Sequence, residues 1–107
     1  MLNKWLKKQI INIFSERYKI CFSKFNEYLD MPMLKIRSMK SRWGVYNKKN
    51  HSITLNSHLI EYDISSLDYV IYHELCHTVH FDHSKAFWKL VAKYCPNYKQ
   101  AKKDLKE

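Results

Sequence analysis

The sequence predicts an α+β domain in which helices outnumber strands. Apolar residues recur at helical spacing towards both ends of the chain, whereas between residues 34 and 56 apolar and polar residues alternate as they do in strands. One Gly and two Pro occur among the 107 residues, which disfavours a turn-rich all-β fold. A chain of this length has room for one domain with a single modest core, and we expect residues 1–107 to form it.

The first thirty residues are predicted to be helical, in two stretches. The second stretch ends before Met31 and Pro32, because the residue that precedes a proline is disfavoured in a helix. The residues with helical spacing are Leu2, Trp5, Leu6, Gln9, Ile10, Ile13 and Phe14 in the first stretch, and Phe22, Phe25, Tyr28 and Leu29 in the second.

Three short strands are predicted in the middle of the chain. Residues 34–38 alternate between apolar and polar side chains, and two further strands, at residues 43–46 and 52–56, flank a polar turn at residues 47–50. The pattern therefore predicts a small three-stranded sheet between N-terminal and C-terminal helices.

Three helices are predicted after the sheet. The first begins at Ser65, with Asp68 three residues later in a capping-box-like arrangement. The second has Ser84 as its N-cap and stops near Pro96, and a last, basic helix spans residues 98–105. The predicted buried faces of the first two helices contain Leu67, Val70, Ile71, Leu75, Phe87, Trp88, Val91 and Tyr94.

The most informative feature is the HExxH motif formed by His73, Glu74 and His77 in the first of these helices. The two histidines differ by about 40° around the helix axis and about 6 Å along it, so both imidazoles can reach one metal ion. Glu74 lies about 100° from His73, where it can contact a metal-bound water without being a ligand. This spacing predicts a zinc hydrolase that binds one Zn²⁺ ion.

The third ligand must come from one of two later histidines, His80 or His83. If the helix continued, His80 would lie about 10 Å along the axis from His73, and three histidines in a row cannot surround a tetrahedral ion. We therefore predict that the chain turns after the helix and that His83, next to the N-cap Ser84, completes the site. His80 is interpreted as solvated or as an outer-shell partner, and Asp82 as such a partner or as a loop carboxylate.

Cysteine usage and hydropathy indicate the compartment. Cys21, Cys76 and Cys95 form no C-x-x-C pair and are odd in number, which disfavours a disulfide framework and favours a reducing compartment. Cys76 lies inside the motif but is interpreted as a packing residue without a metal role. No run of 18 apolar residues and no signal-peptide core is present, so we expect a cytoplasmic protein without a membrane partner.

The chain carries a net charge of +9, concentrated at residues 4–8, 35–42 and 99–106. This charge leaves nucleic acid open as a partner, although Lys-rich helix faces are also common solubilising surfaces. No nucleic-acid-binding module is evident in the sequence. The oligomeric state is not indicated.

Five motifs in one order resemble the YgjP-like metallopeptidase family. They are MKSRWG at residues 39–44, ITLN at 53–56, LDYVIYHELCH at 67–77, HSKAFW at 83–88 and PNY at 96–98. The resemblance implies a minimal zincin-like fold, related to the SprT-like peptidases, in which a small sheet packs against the metal helix. It also implies that the strand at residues 52–56 is an edge that receives substrate backbone by strand addition.

The sequence departs from the family pattern at three places. Family members usually carry a further N-terminal, sheet-rich region, so this chain resembles their catalytic half alone. Val45 and Tyr46 replace the usual Ser-Cys after Arg-Trp-Gly, and residues 61–64 replace a segment that contains proline. All predicted ligands and Glu74 remain, so these departures concern substrate preference and not the metal chemistry.

The predicted function is a zinc metallopeptidase that hydrolyses peptide bonds through a zinc-activated water, with His73, His77 and His83 as metal ligands and Glu74 as the general base. Arg42 and Asn56 are candidate substrate contacts, but an ion-paired Arg and a turn-forming Asn explain them equally well. The substrate-binding and oxyanion-stabilising residues stay unassigned. A metal-dependent nucleotide phosphohydrolase and a noncatalytic zinc-stabilised binding module are the alternatives, although a structural zinc site does not require Glu74.

Overall fold

The computed structural model describes residues 4–27 and 29–107, and its N-terminal element is one helix, α1 (Lys4–Lys24). The prediction that helical structure continues to residue 30 is therefore wrong. The backbone N–H of Asn26 donates to the Tyr94 hydroxyl at 2.8 Å, so a tertiary partner replaces the next helical hydrogen bond. Leu2 and Tyr28, which belong to the predicted helical patterns, lie outside the described residues.

The three predicted strands are all present, as β1 (Met33–Arg37), β2 (Gly44–Asn47) and β3 (Ser52–Asn56). Their order in the sheet is β1-β3-β2, with β3 parallel to β1 and antiparallel to β2. The prediction that β3 is an edge strand is therefore wrong. The Ile53 and Leu55 side chains of β3 are fully buried. A central position in the sheet, with a strand on each side, removes this apolar surface from water.

A short 3₁₀ helix (Ser57–Glu61) joins β3 to α2 (Ile64–His77), which is followed by α3 (Lys85–Tyr94) and α4 (Tyr98–Asp104). Ser84 is the N-cap of α3 as predicted, because its hydroxyl accepts from the Phe87 N–H at 3.3 Å. The predicted capping box in α2 is wrong, since Asp63 holds the N-cap position and Ser65 lies within the first turn.

Asp68, which the capping box would have used, instead forms a bidentate ion pair with Arg17 of α1. The Arg17 Nη2 and Nε atoms lie 2.6 Å and 3.1 Å from the two Asp68 carboxylate oxygens. This geometry matches the fork of a guanidinium to a carboxylate. The ion pair therefore joins α1 to α2 across 51 residues of sequence.

Helix α2 is the centre of the domain, since it packs against α1, the sheet, α3 and α4. All four of its predicted core residues are buried, and Phe87 and Val91 of α3 are fully buried against it. Cys21 and Cys76 are also buried, as free thiols. The helix that carries the HExxH motif is thus fixed from several sides, as a precise catalytic site requires. Among the described residues, no helix has the length and apolarity needed to cross a bilayer.

Candidate metal centre

The structure brings His73, His77 and His83 together, with one potential ligand atom from each lying within 4.8 Å of the others. His73 and His77 project from successive turns of α2, and their ring centroids are 4.9 Å apart. His83 comes from the connection to α3, and its ring centroid lies 4.8 Å from that of His77. Three imidazoles from two directions form the kind of donor set that zinc prefers.

His83 can approach because α2 ends at His77 and the chain turns back. The N–H groups of Val79 and His80 both donate to the Cys76 carbonyl, and the Thr78 hydroxyl donates to the Leu75 carbonyl at 2.6 Å. Helix α3 then begins two residues after His83, at Lys85, with Ser84 as its N-cap. The turn that the sequence predicted is therefore present, and His80 does not join the cluster.

The backbone of His80, and not its imidazole, contacts the cluster. The Nδ1 atom of His77 lies 3.1 Å from the His80 carbonyl oxygen, so this nitrogen is the donor and Nε2 carries the lone pair. Asp82 was interpreted either as an outer-shell partner or as a loop carboxylate. Its carboxylate accepts from the Ser84 N–H at 3.4 Å, which matches the loop carboxylate.

His73 is held by a side chain from the preceding turn of α2. Its Nδ1 atom lies 3.2 Å from the hydroxyl oxygen of Tyr69, and that hydroxyl donates to Glu107 Oε1 at 2.9 Å. Burial, followed by the Glu107 charge, raises the pKa of Tyr69, which therefore keeps its proton. Tyr69 and Glu107 were not predicted as part of the site, and Tyr69 carried only the weak signal of lying four residues before His73.

Two of the three histidines are kept neutral by their surroundings. Burial is the largest cause that lowers the pKa of His73 to about 3, and the charges of His77 and His83 lower it further. Burial also lowers the pKa of His77. A neutral imidazole is the form that binds a metal ion, so these two histidines need not lose a proton near neutral pH to bind one.

Phe87 forms an apolar wall against all three imidazoles. Its ring is fully buried and stacks on His77 with ring centroids 4.4 Å apart. It also meets the rings of His73 and His83 edge-on, at 5.0 Å and 5.1 Å. The sequence predicted Phe87 only as a core residue, although its position four residues after His83 places it one helical turn from the proposed ligand.

Glu74 is almost completely buried beside the cluster, with 5% of its surface exposed. Burial is the main cause that raises its pKa to about 8, and repulsion by Glu107 adds to this. A hydrogen bond from the Tyr46 backbone and the charge of Arg42 partly oppose the rise in pKa. A carboxyl group tuned in this way can accept and release a proton near neutral pH.

The single glycine of the chain sets the space around Glu74. A Cβ atom on Gly44 would lie 3.0 Å from both Cγ and Oε2 of Glu74 and 2.8 Å from Cγ1 of Val70. Strand β2 therefore passes so close to α2 that any larger residue at position 44 would force the side chains of Val70 and Glu74 to shift. The sequence placed Gly44 in a family motif but gave no indication of this contact.

An open cleft runs over the histidine cluster. One part, of about 330 Å³, is lined by Arg42, Gly44, His73 and Glu74 among others, and a second part, of about 430 Å³, continues past Tyr46. Arg42 is exposed and lines both parts, which agrees with a substrate-contacting role.

The sequence left two roles open for Asn56, a substrate contact and a turn-forming residue, and its hydrogen bonds match the structural role. Its side-chain N–H₂ group donates to the carbonyls of Met39 and Arg42 at 2.9 Å and 2.8 Å, and its carboxamide oxygen accepts from the His58 N–H at 3.0 Å. The buried amide thus holds the loop that carries Arg42 towards the cleft.

Solved structures with a similar fold are metallopeptidase zymogens. The zymogen of Methanocaldococcus jannaschii jannalysin aligns with a TM-score of 0.71 and 22% sequence identity, over 87% of this chain and 91% of that one. The zymogen of Pyrococcus abyssi abylysin aligns with a TM-score of 0.68 and 22% identity, over 90% of both chains. These similarities confirm the predicted α+β fold.

Comparison at the level of sequence identifies the family. No protein with curated annotation shows significant sequence similarity to the chain. The model of the YgjP-like metallopeptidase domain matches residues 1–107, which confirms the resemblance seen in the sequence motifs. The chain therefore belongs to the YgjP-like metallopeptidase family and is a metal-dependent hydrolase of the peptidase class.

Proposed function

We propose that the chain is a zinc peptidase in which His73, His77 and His83 hold one Zn²⁺ ion and Glu74 is the general base. The observation that carries this proposal is the convergence of three imidazoles beside a buried carboxyl group that is not one of them. A site that only stabilised the fold would gain nothing from burying Glu74, because moving a carboxyl group from water into the interior is costly.

The donor set fits zinc in both chemistry and orientation. The Nδ1 atoms of His73 and His77 already have hydrogen-bond partners, which leaves the Nε2 atoms for the ion. Three imidazole ligands would leave one coordination position of zinc open, as catalytic zinc sites require. When bound, zinc would act as a Lewis acid that polarises the substrate carbonyl and lowers the pKa of a water molecule.

Glu74 would perform the proton transfers. Its carboxylate accepts a proton from the water that attacks the peptide carbonyl and then donates that proton to the nitrogen of the leaving amine. Gly44 of β2 lies close against the Glu74 side chain, which limits how far the carboxyl group can move between the two transfers. Water attack with proton delivery to the amine completes hydrolysis of the peptide bond.

Strand β2 is the proposed place for the substrate backbone. It lies at the end of the described sheet, and its residues Gly44, Val45 and Tyr46 line the cleft beside His73 and Glu74. An extended peptide that adds to β2 by main-chain hydrogen bonds would pass directly over the metal centre. Protein or peptide segments that can adopt an extended form are therefore the expected substrates.

Glu74→Gln, prepared beside the unchanged protein, tests this function. Because the change keeps the shape of the side chain and removes its basicity, we expect zinc content to stay at one ion per chain while cleavage of an unstructured peptide falls by about 10²–10⁴-fold. Nucleotide hydrolysis measured on both proteins tests the phosphohydrolase alternative. Retained peptide cleavage in Glu74→Gln would reject Glu74 as the base.

A further inference from the structure

The hydroxyl of Tyr69 lies between a proposed metal ligand and a carboxylate. It is 3.2 Å from Nδ1 of His73 and 2.9 Å from Oε1 of Glu107, and Tyr69 itself has no exposed surface. Tyr69 and His73 occupy successive turns of α2, so the tyrosine ring is fixed by the same helix that carries the ligand.

Glu107 reaches this place because the chain reverses after α4. Lys106 adopts a left-handed backbone conformation with φ of 57°, and the Glu107 N–H donates to the Lys102 carbonyl at 2.9 Å. The indole N–H of Trp43 donates to the Leu105 carbonyl at 3.1 Å and so ties the same segment to the rim of the cleft. These contacts hold the backbone of residues 105–107 beside the histidine cluster, from where the Glu107 carboxylate reaches Tyr69.

The chemistry of the three groups fixes the direction of both hydrogen bonds. The single hydroxyl proton of Tyr69 is donated to Oε1 of Glu107 at 2.9 Å. The hydroxyl oxygen then offers a lone pair to His73, and Nδ1 of His73 must be the donor. In this arrangement Nε2 of His73 has no proton and its lone pair is free.

We propose that Glu107 and Tyr69 are positioning residues that hold His73 in the Nδ1–H tautomer, with Nε2 directed to the metal ion. The inference rests on the proposed function, because it gives His73 its role as a ligand. His77 is held in the same tautomer by the backbone carbonyl of His80 at 3.1 Å. One ligand thus depends on a main-chain acceptor, and the other depends on two side chains that can be changed.

The histidine tautomer in metal-free protein tests the proposal directly, by long-range ¹H–¹⁵N NMR of the imidazole nitrogens. We expect the Nδ1–H form of His73 in the unchanged protein. In Glu107→Ala, the Tyr69 hydroxyl loses its acceptor and can donate to His73, so the Nε2–H form should appear. Glu107→Gln keeps an acceptor oxygen and should restore the Nδ1–H form, which a purely structural role of this residue would not predict.

Zinc affinity, measured by competition with a chelator, supplies the second readout. Loss of an outer-shell partner typically weakens metal binding by about 10–100-fold, and we expect this loss in Tyr69→Phe and in Glu107→Ala. Tyr94→Phe is the matched control, because the Tyr94 hydroxyl donates to Glu27 Oε2 at 2.6 Å in a tyrosine–carboxylate pair of the same kind. It should leave the His73 tautomer and zinc affinity unchanged.

Two results would overturn the proposal. The first is an Nε2–H tautomer of His73 in the unchanged protein, and the second is a tautomer that is the same in Glu107→Ala as in the unchanged protein. Either result could occur in an active zinc peptidase, so it would leave the proposed function intact. Absence of zinc binding in the unchanged protein would instead reject the proposed function, while the tautomer of the metal-free protein would still be measured.

Discussion

Helix α2 carries two acidic side chains, Asp68 and Glu74, which differ in their exposure to solvent and in their partners. Asp68 is partly exposed and forms a bidentate ion pair with Arg17, at 2.6 Å for the shorter contact. Glu74 is 5% exposed, and burial raises its pKa to about 8. One carboxylate joins two helices, and the other is kept in a costly environment beside the histidine cluster. Two carboxyl groups of similar chemistry thus have different surroundings, which agree with a stabilising role for Asp68 and with the catalytic role proposed for Glu74.

The largest expected difference between the two residues is in catalysis. Asp68→Asn should leave peptide cleavage by the zinc-loaded protein within about twofold of the unchanged protein, because Asp68 lies on the α1 side of the helix, away from the cleft. Glu74→Gln, as described above, should remove it. Steady-state cleavage of one peptide by both variants checks the contrast, and comparable losses in the two would mean that Glu74 acts only through the fold.

A smaller loss is expected when the space around Glu74 is reduced without changing the carboxyl group. In Gly44→Ala the added Cβ would lie 2.8 Å from Val70 Cγ1 and 3.0 Å from Glu74 Oε2, so these side chains must shift, and we expect the carboxyl group to be displaced. Displacement of a catalytic group by about 1 Å can cost about 100-fold in rate. We expect kcat to fall by about 10–100-fold with zinc content unchanged, and an unaltered kcat would show that Glu74 does not need this confinement.

The two carboxyl groups should also differ in the sign of their effect on stability. Removing the acceptor charge in Asp68→Asn leaves Arg17 without its ionic partner and should lower the free energy of unfolding by about 1–2 kcal/mol. Glu74→Gln should raise the free energy of unfolding of the metal-free protein near neutral pH, because it removes a carboxylate that is buried at a cost. Denaturant unfolding in the presence of a chelator measures both changes.

The effect of Glu74 on stability has a defined pH range. The pKa of Glu74 is about 8 in the folded chain and near the ordinary value of 4.5 when it is unfolded. The unfolded state therefore releases its proton first, and the free energy of unfolding falls as pH rises from about 4.5 to 8. His73, with a folded pKa of about 3 against an ordinary 6.5, acts in the opposite direction, because its burial lowers the free energy of unfolding as pH falls from about 6.5 to 3.

Glu74→Gln should therefore differ least from the unchanged protein in metal-free stability at about pH 4 and should become progressively more stable than it towards pH 8. The difference should reach a few kcal/mol at most. Unfolding curves at four or five pH values in this range check the slope. A difference that does not depend on pH would mean that ionisation of Glu74 is not its source.

Features encoded by neighbouring residues were predictable from the sequence. The turn that frees His83 follows from Ser84 as an N-cap, and the helix that carries His73 and His77 follows from apolar spacing in the same segment. The strands were also found by their local alternation of side chains. Each of these signals lies within a few residues of the feature that it predicts.

Features that depend on distant partners were not predictable. In the sheet β1 pairs with β3, although β2 lies between them in the sequence. Alternation of side chains alone does not determine which strand is central. Asp68 has the spacing of a capping residue, but Arg17, 51 residues earlier, provides a stronger partner. Contacts of Gly44 with Glu74, and of Tyr69 with Glu107, likewise join residues that are 30 or more positions apart.

The central claim is that His73, His77 and His83 form one zinc site, with His80 outside it. Zinc affinity measured by chelator competition for His83→Ala and His80→Ala tests this claim most directly. His83→Ala should weaken binding by more than about 100-fold, since even outer-shell partners are worth 10–100-fold. His80→Ala should change it little, because the His80 backbone carbonyl that contacts His77 is retained. Strong zinc binding by His83→Ala together with its loss in His80→Ala would contradict the account.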